Sequence, residues 1–240
     1  AGTHTIAFRV KDNNEAWSSP ATGSLTVSSG GSEYQLTLGS TYSTDVNSKG
    51  VKYYHDGSDW VGRGNSGALR AVNRWNISGI DPSWTITSVE VRFYGEAKAG
   101  SPGTLSITRY GTSYGEDDPG ADTGAQAYSK INGTPYASLP EPSSGSWTNW
   151  INLGSTAVSD ITWCRMNGLS LWSAGLKASD AIEASTTIRH VDFSEDNEAN
   201  DAELRITYTI SSSPNIPPTA VDDSSATLQG TEVIINVVAN

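Results

Sequence analysis

The chain has 240 residues, enough for one large β-sandwich or two ordinary domains. Only 36% are apolar and 17% charged, and Gly (24) with Ser, Thr and Asn fills the rest, which suits sheets wetted on one face and excludes a Leu-, Ala-, Glu- and Lys-rich helical body. The net charge of −11 repels nucleic acid and anionic lipid, so neither is expected as a partner, whereas it suits solubility and divalent cations.

Three segments follow one another. Residues 1–30 open with HTIAFRVKD, in which Ile6, Phe8 and Val10 alternate onto one face, continue through the turn DNNEAWSSP, and close with GSLTVSS. Two strands cannot form a stable domain alone. SSGGS (28–32) is a flexible joint. Residues 33–210 hold many short strand patterns split by Gly, Pro, Asn and Asp: YQLTLG, GVKYYH, GALRAVNRWNI, WTITSVEVRFYGEA, GTLSITRYG, SWTNWINLG, DITWCRMNGLSLWS, TTIRHVDFS and AELRITYTI. Val89, Val91 and Phe93 share one face, as do Leu204, Ile206 and Tyr208. Eight to ten strands in that span predict an all-β fold, an antiparallel β-sandwich of jelly-roll type, with Ig-like strand fragments at both ends. SSSPNIPP (211–218) is a second, stiffer joint, and residues 215–240 end in strand, Gly turn, strand.

Cys164 is the one cysteine, so an intramolecular disulfide is impossible, and its apolar neighbours in ITWCRM predict a buried, inert thiol. The sequence shows no signal peptide and no membrane span, and begins inside a strand pattern without Met. The expectation is a piece of a larger secreted or cell-surface protein.

The patterns carry resemblances. HTIAFRVKDNNEAWSSP with SLTV resembles the closing strands of a PKD-like or other Ig-like module. NIPPTAVDD with GTEVIINVVAN resembles the opening of a cadherin-like or bacterial Ig-like repeat. ALRAVNRWNISGIDPSWTITSVEVRFYG and HVDFSEDNEANDAELRITYT are similar to the two signature stretches of the DNRLRE-type (disaggregatase-related) β-sandwich module. Asn76 stands where that family has Asp, and its proline before the last strand is missing. The resemblance implies an extracellular ancillary module, often carbohydrate-binding, without catalytic residues.

His4, His55 and His190 are isolated, and the sequence lacks H-E-x-x-H, G-x-S-x-G, phosphate-loop and paired-cysteine patterns, so no nucleophile with a local base can be named and no enzyme is expected. Carboxylates crowd two turns. One is GEDDPGADTG, with Glu116, Asp117, Asp118 and Asp122. The other is DFSEDNEANDAE, with Asp192, Glu195, Asp196, Glu198, Asp201 and Glu203. Calcium takes six to eight oxygens, and in the second turn Asp192, Glu195, Asp196, Glu198 and Asp201 are the candidate ligands against the plainer reading of a solvated turn. A glycosidase pair of carboxylates is a weaker reading.

Eight Trp and ten Tyr against three Phe are a surplus of rings with polar tips, which pack on the C–H faces of sugars while Asn, Asp and Arg pair with hydroxyls. Tyr53, Tyr54 and Trp60 of YYHDGSDW, with His55, Asp56 and Asp59, and Trp147 and Trp150 of WTNW, with Asn149, are the candidate carbohydrate-binding residues. Trp75 and Trp163 read as core. Asn132 of Asn132-Gly133-Thr134, in a Gly-rich loop, is a glycosylation acceptor by pattern; Asn76 of Asn76-Ile77-Ser78 also matches but sits in a strand pattern. The expected function is therefore a structural or adhesive module of a stalk, sheath or filament. The alternative is a carbohydrate-binding module, and a polysaccharide-degrading enzyme stands behind both. The expected partners are a polysaccharide or neighbouring copies, whose end segments would complete one another by strand addition.

Overall fold

The computed structural model describes residues 2–8, 21–27, 32–54, 57–195 and 200–210. In chain order the elements are β1 (Gly2–Phe8), β2 (Ala21–Val27), β3 (Glu33–Asn47), β4 (Lys52–Tyr53), β5 (Asp59–Gly64), β6 (Gly67–Asn76), β7 (Thr85–Arg92), β8 (Tyr94–Ala99) and β9 (Leu105–Arg109). Then come α1 (Gly124–Lys130), β10 (Pro135–Leu139), β11 (Ser146–Trp147), β12 (Ile151–Asn152), α2 (Gly154–Met166), β13 (Leu171–Lys177), α3 (Asp180–Glu183), β14 (Arg189–Phe193) and β15 (Glu203–Thr209). The fold is all-β and antiparallel, as the two-residue alternation predicts.

β1 and β2 pair antiparallel, with Gly2 opposite Val27, so the first segment does form two strands. Residues 211–240, with the expected Ig-like opening, lie outside the described residues.

Strands β3–β15 form one continuous hydrogen-bonded network folded into two layers. The first layer is the front half of β3 with β15, β7 and β12. In the second, β4 and the rear half of β3 join β6, whose far edge carries β13–β9–β10 and β5–β14–β8–β11. β3 belongs to both layers. Glu33–Gly39 pair with β15, a register shift falls between Ser40 and Tyr42, and Ser40–Asn47 pair with β6. A bulge of this kind bends a strand and raises its twist, which is what a change of sheet requires.

The core lies between the layers. Val89, Val91, Leu204 and Ile206 face Trp75, Leu105, Ile107, Trp172 and Leu176. Trp75 and Trp172 are register partners on β6 and β13, with ring centroids 5.6 Å apart, and Trp75 Nε1 donates to the Ala202 carbonyl at 3.1 Å. A smaller apolar cluster, Val46, Val72, Tyr110, Ala127 and Ile131, packs α1 on the other side of β3 and β6. That second contact buries β6 on both faces, so its sequence GALRAVNRWN lacks a clean alternation.

Three expectations are corrected. DITWCRMNGLSLWS is not one strand. Its first part lies in α2, because Ala157, Ile161 and Cys164 recur at helical spacing and all three are fully buried, and only its end enters β13. Trp163 is accordingly a partly buried helix residue stacked on Tyr114 at 4.0 Å rather than a strand core residue. WTITSVEVRFYGEA is two strands, β7 and β8, in different layers, broken at Phe93. There are thirteen strands in the sandwich among the described residues, more than the eight to ten expected, because β4, β11 and β12 are two-residue pieces.

Two buried ion pairs tie the helices to the sheets. Arg70 of β6 grips Glu183 of α3 at 3.0 and 2.7 Å and also donates to the Tyr128 and Ile131 carbonyls. Arg109 of β9 grips Asp160 of α2 at 2.8 and 2.7 Å, and the Tyr136 hydroxyl donates to the same carboxylate at 2.6 Å.

Candidate functional site

The rear half of β3, β4, β5 and the β5–β6 turn enclose a hollow of about 120 Å³ lined by Asp45, Tyr53, Ser58, Trp60, Ser66 and Leu69. Local chemistry shapes it. The Asn47 carboxamide oxygen accepts from the N–H groups of Lys49 and Val51 at 2.9 and 3.0 Å, which folds the turn that returns the chain as β4. Its Nδ2 donates to the Tyr53 hydroxyl at 2.8 Å and fixes that ring in the wall. Tyr53 is the register partner of Asp45, so the two are held across one strand pair.

Trp60 is 37% exposed, an unusual placement for an indole. Its Nε1 donates to Ser58 Oγ at 2.8 Å, and its ring lies on His190, 4.3 Å between centroids and 8° from parallel. His190 Nδ1 is 2.6 Å from Asp192 Oδ1, and Asp192 is the register partner of Trp60. The buried histidine is thus a shelf beneath the indole. Gly62 makes the shelf fit: it has φ +133°, and a Cβ there would lie 2.2 Å from the Arg189 carbonyl oxygen. Among the described residues the hollow combines an aromatic plane, a phenol, two serine hydroxyls, a carboxylate and the apolar Leu69. That set fits a polyol with one apolar face.

The second aromatic group lies against another hollow, of about 240 Å³, whose lining includes Pro140, Glu141, Pro142, Trp147, Asn149 and Ile151. Here the indoles interleave with arginines. Arg92 lies 4.4 Å from the Trp147 ring centre and 4.8 Å from that of Trp150, and Arg205 lies 4.2 Å from Trp150. Both guanidiniums are held by carboxylates across β7 and β15, Arg92 by Glu203 at 2.6 Å and Arg205 by Glu90 at 2.8 Å. Trp150 is committed to this ladder, whereas Trp147 serves both the ladder and the hollow. Tyr54 is 49% exposed and stacks on Tyr42 at 5.0 Å, apart from the Trp60 lining.

No protein-family model matches the chain. No curated protein matches it either. Among the described residues no helix is long and apolar enough to cross a membrane.

The carboxylates of the first acidic turn are paired within the fold. In the first, Asp118 pairs with Arg74 at 2.5 Å, Asp122 accepts from Lys130 at 2.9 Å and from the Tyr110 hydroxyl at 2.7 Å, Asp117 lies 3.2 Å from Lys130, and Glu116 accepts from the Tyr114 N–H at 2.6 Å. Burial pushes the Tyr110 hydroxyl upward, and the Asp122 bond adds to it. In the second turn, Asp192 serves His190, buried Glu195 accepts from the Gly57 N–H at 3.3 Å, and Asp201 lies near Gly39. Asp196 and Glu198, like His55 and Asp56, lie outside the described residues. Among the described residues no three His, Cys, Asp or Glu side chains converge as a metal would need. Exposed Asn132 accepts from Lys177 Nζ at 2.9 Å through Oδ1.

Sequence reasoning did not find Asp45, Ser66 or Leu69 of the lining, nor the support given by Asn47 and His190. Asn47 had a signal, as an Asx residue opening the turn NSKG; Ser66 and Leu69 follow Trp60 in the β5–β6 hairpin, whereas Asp45 and His190 reach the hollow through pairing with other strands.

Proposed function

We propose that the chain is an adhesive, non-catalytic module of a cell-surface protein that grips a polysaccharide at the Trp60 hollow. One observation carries the reading: an indole backed by His190 and left 37% exposed forms one wall of a hollow whose lining also holds three hydroxyls, a carboxylate and Leu69. A sugar ring needs such a plane for its C–H face and such partners for its hydroxyls. Among the described residues of the lining the one charged side chain is the Asp45 carboxylate, which favours neutral over anionic glycans. The resemblance to the DNRLRE-type module supports the same class and an extracellular place.

Glycan-array binding of the chain and its Trp60→Ala variant tests this. The expected result is binding to a neutral polysaccharide that falls at least roughly tenfold in the variant, about 1.4 kcal/mol. Trp150→Ala is expected to leave binding intact, since that ring is held between Arg92 and Arg205. Binding indifferent to Trp60, or no glycan binding, removes the proposal and leaves a scaffold module.

A further inference from the structure

We propose that the sandwich is also a mechanically yielding link: tension along the chain unzips β3 from β15 and opens the fold at low force. The topology carries this. β3 is where the chain comes into the sandwich and β15 is where it leaves, and the two are antiparallel neighbours with Glu33 opposite Thr209. Residues 32 and 210 therefore emerge side by side at one end of one strand pair.

A pull on those two points acts across the strands, along the direction of their hydrogen bonds. The seven register pairs from Glu33–Thr209 to Gly39–Glu203 then break in succession. A pull along the strand axis would instead load all seven at once. The outermost pairs lie in water, Tyr34 being 45% exposed, and the Tyr34–Tyr208 ring stack at 5.7 Å is the side-chain contact that holds the second of them. The peel then reaches the bulge between Ser40 and Tyr42, where β3 leaves the first layer for the second. Losing the front half of β3 uncovers Leu204 and Ile206 of β15 and separates the layers that enclose the core. Because the same strand continues to Asp45, opening also dismantles the Trp60 hollow. The stretch from Glu33 to Thr209 has 177 residues and would lengthen to about 600 Å at roughly 3.3–3.6 Å per residue.

The test is optical-tweezers unfolding of the full 240-residue chain, with handles on introduced cysteine pairs and matched loading rates. Cys164 is fully buried and does not take a handle in the folded chain. Ser32→Cys with Ile210→Cys loads β3 and β15 crosswise. Ser32→Cys with Asn200→Cys loads them lengthwise, as does Ser48→Cys with Ile210→Cys, so failure of one lengthwise variant to fold leaves the other to decide. The expected result is crosswise opening at no more than roughly half the lengthwise force, with a gain near 600 Å. Crosswise force equal to or above the lengthwise force, or a much smaller gain, overturns the proposal.

Discussion

Replacing Glu183 by alanine leaves the Arg70 guanidinium with its charge and without its counter-ion. Both side chains of this pair are 9% exposed, and both guanidinium–carboxylate bonds are short, at 3.0 and 2.7 Å. Breaking a buried pair from one side typically costs 3–5 kcal/mol, chiefly because a charge is left uncompensated out of water. Arg70 keeps two carbonyl acceptors, on Tyr128 and Ile131, and its place 4.1 Å above the Tyr128 ring, so the lower half of that range, about 3 kcal/mol, is expected. For a domain of this size about 3 kcal/mol lowers Tm by roughly 6–12 °C. Urea unfolding followed by tryptophan fluorescence measures the change as a shift in midpoint at constant slope. The double variant Arg70→Met, Glu183→Leu removes both charges and keeps apolar volume, so it is expected to recover most of the loss. A loss below about 1 kcal/mol in Glu183→Ala, or a double variant no more stable than the single one, would refute the reasoning.

Burial pushes the Cys164 thiol up to about 12, so at pH 8 the folded chain is expected to resist a thiol-specific disulfide reagent and to titrate one equivalent only in guanidinium; rapid labelling of the folded chain would contradict this. Burial likewise pushes the Tyr42 hydroxyl from 10 up to about 12, and raises Tyr110 and Tyr136, each of which also donates to a carboxylate. Here the fold favours the protonated phenol, so this stability is fully present below pH 10 and is lost as pH rises from 10 toward 12, at up to about 1.4 kcal/mol per pH unit for each tyrosine. Tyr42→Phe is expected to flatten the fall of the urea midpoint over that window, and parallel slopes for the two proteins would rule Tyr42 out as a source of alkaline lability.

What the sequence discloses about this fold follows from how local each feature is. Alternation places Val89, Val91, Phe93, Leu204 and Ile206 inward, and all five are buried, because a strand with one wet face writes its burial into every second residue. The passage of the chain from one layer to the other at Phe93 leaves no such mark: the side-chain alternation continues through it while the hydrogen-bond partners change from β15 to β14. In DITWCRM the β-branched Ile161 and Thr162 read as strand, although the buried Ala157, Ile161 and Cys164 of α2 keep a helical spacing. α1 begins with a capping box of Thr123 and Gln126, but it has only seven residues and two buried anchors, Ala127 and the Ile131 that follows it, too short a pattern to mark a helix in the sequence.

The candidate site divides along the same line. YYHDGSDW announces itself by composition, and Tyr53 and Trp60 do line one hollow. Yet neighbours in sequence part company there, since Tyr53 goes to the hollow and Tyr54 to Tyr42, as successive side chains at a strand's end must take opposite faces. The carboxylate of the wall comes from Asp45 on β3, and the shelf from His190 on β14, 15 and 130 residues away from Trp60. Those partnerships depend on a single strand, β3, being long enough to serve both layers. Seven of its residues bond β15 at the end where the chain comes in, and its rear half then pairs with β6 and carries Asp45 into the hollow. The hollow rests on the pairing of β3 with β4 and β6, and the edge of the first layer on its pairing with β15, two rows of hydrogen bonds carried by one continuous strand. A substitution that weakens the front half of β3 is expected to lower the proposed glycan binding at Trp60, read on the same glycan array, without touching any residue of the lining.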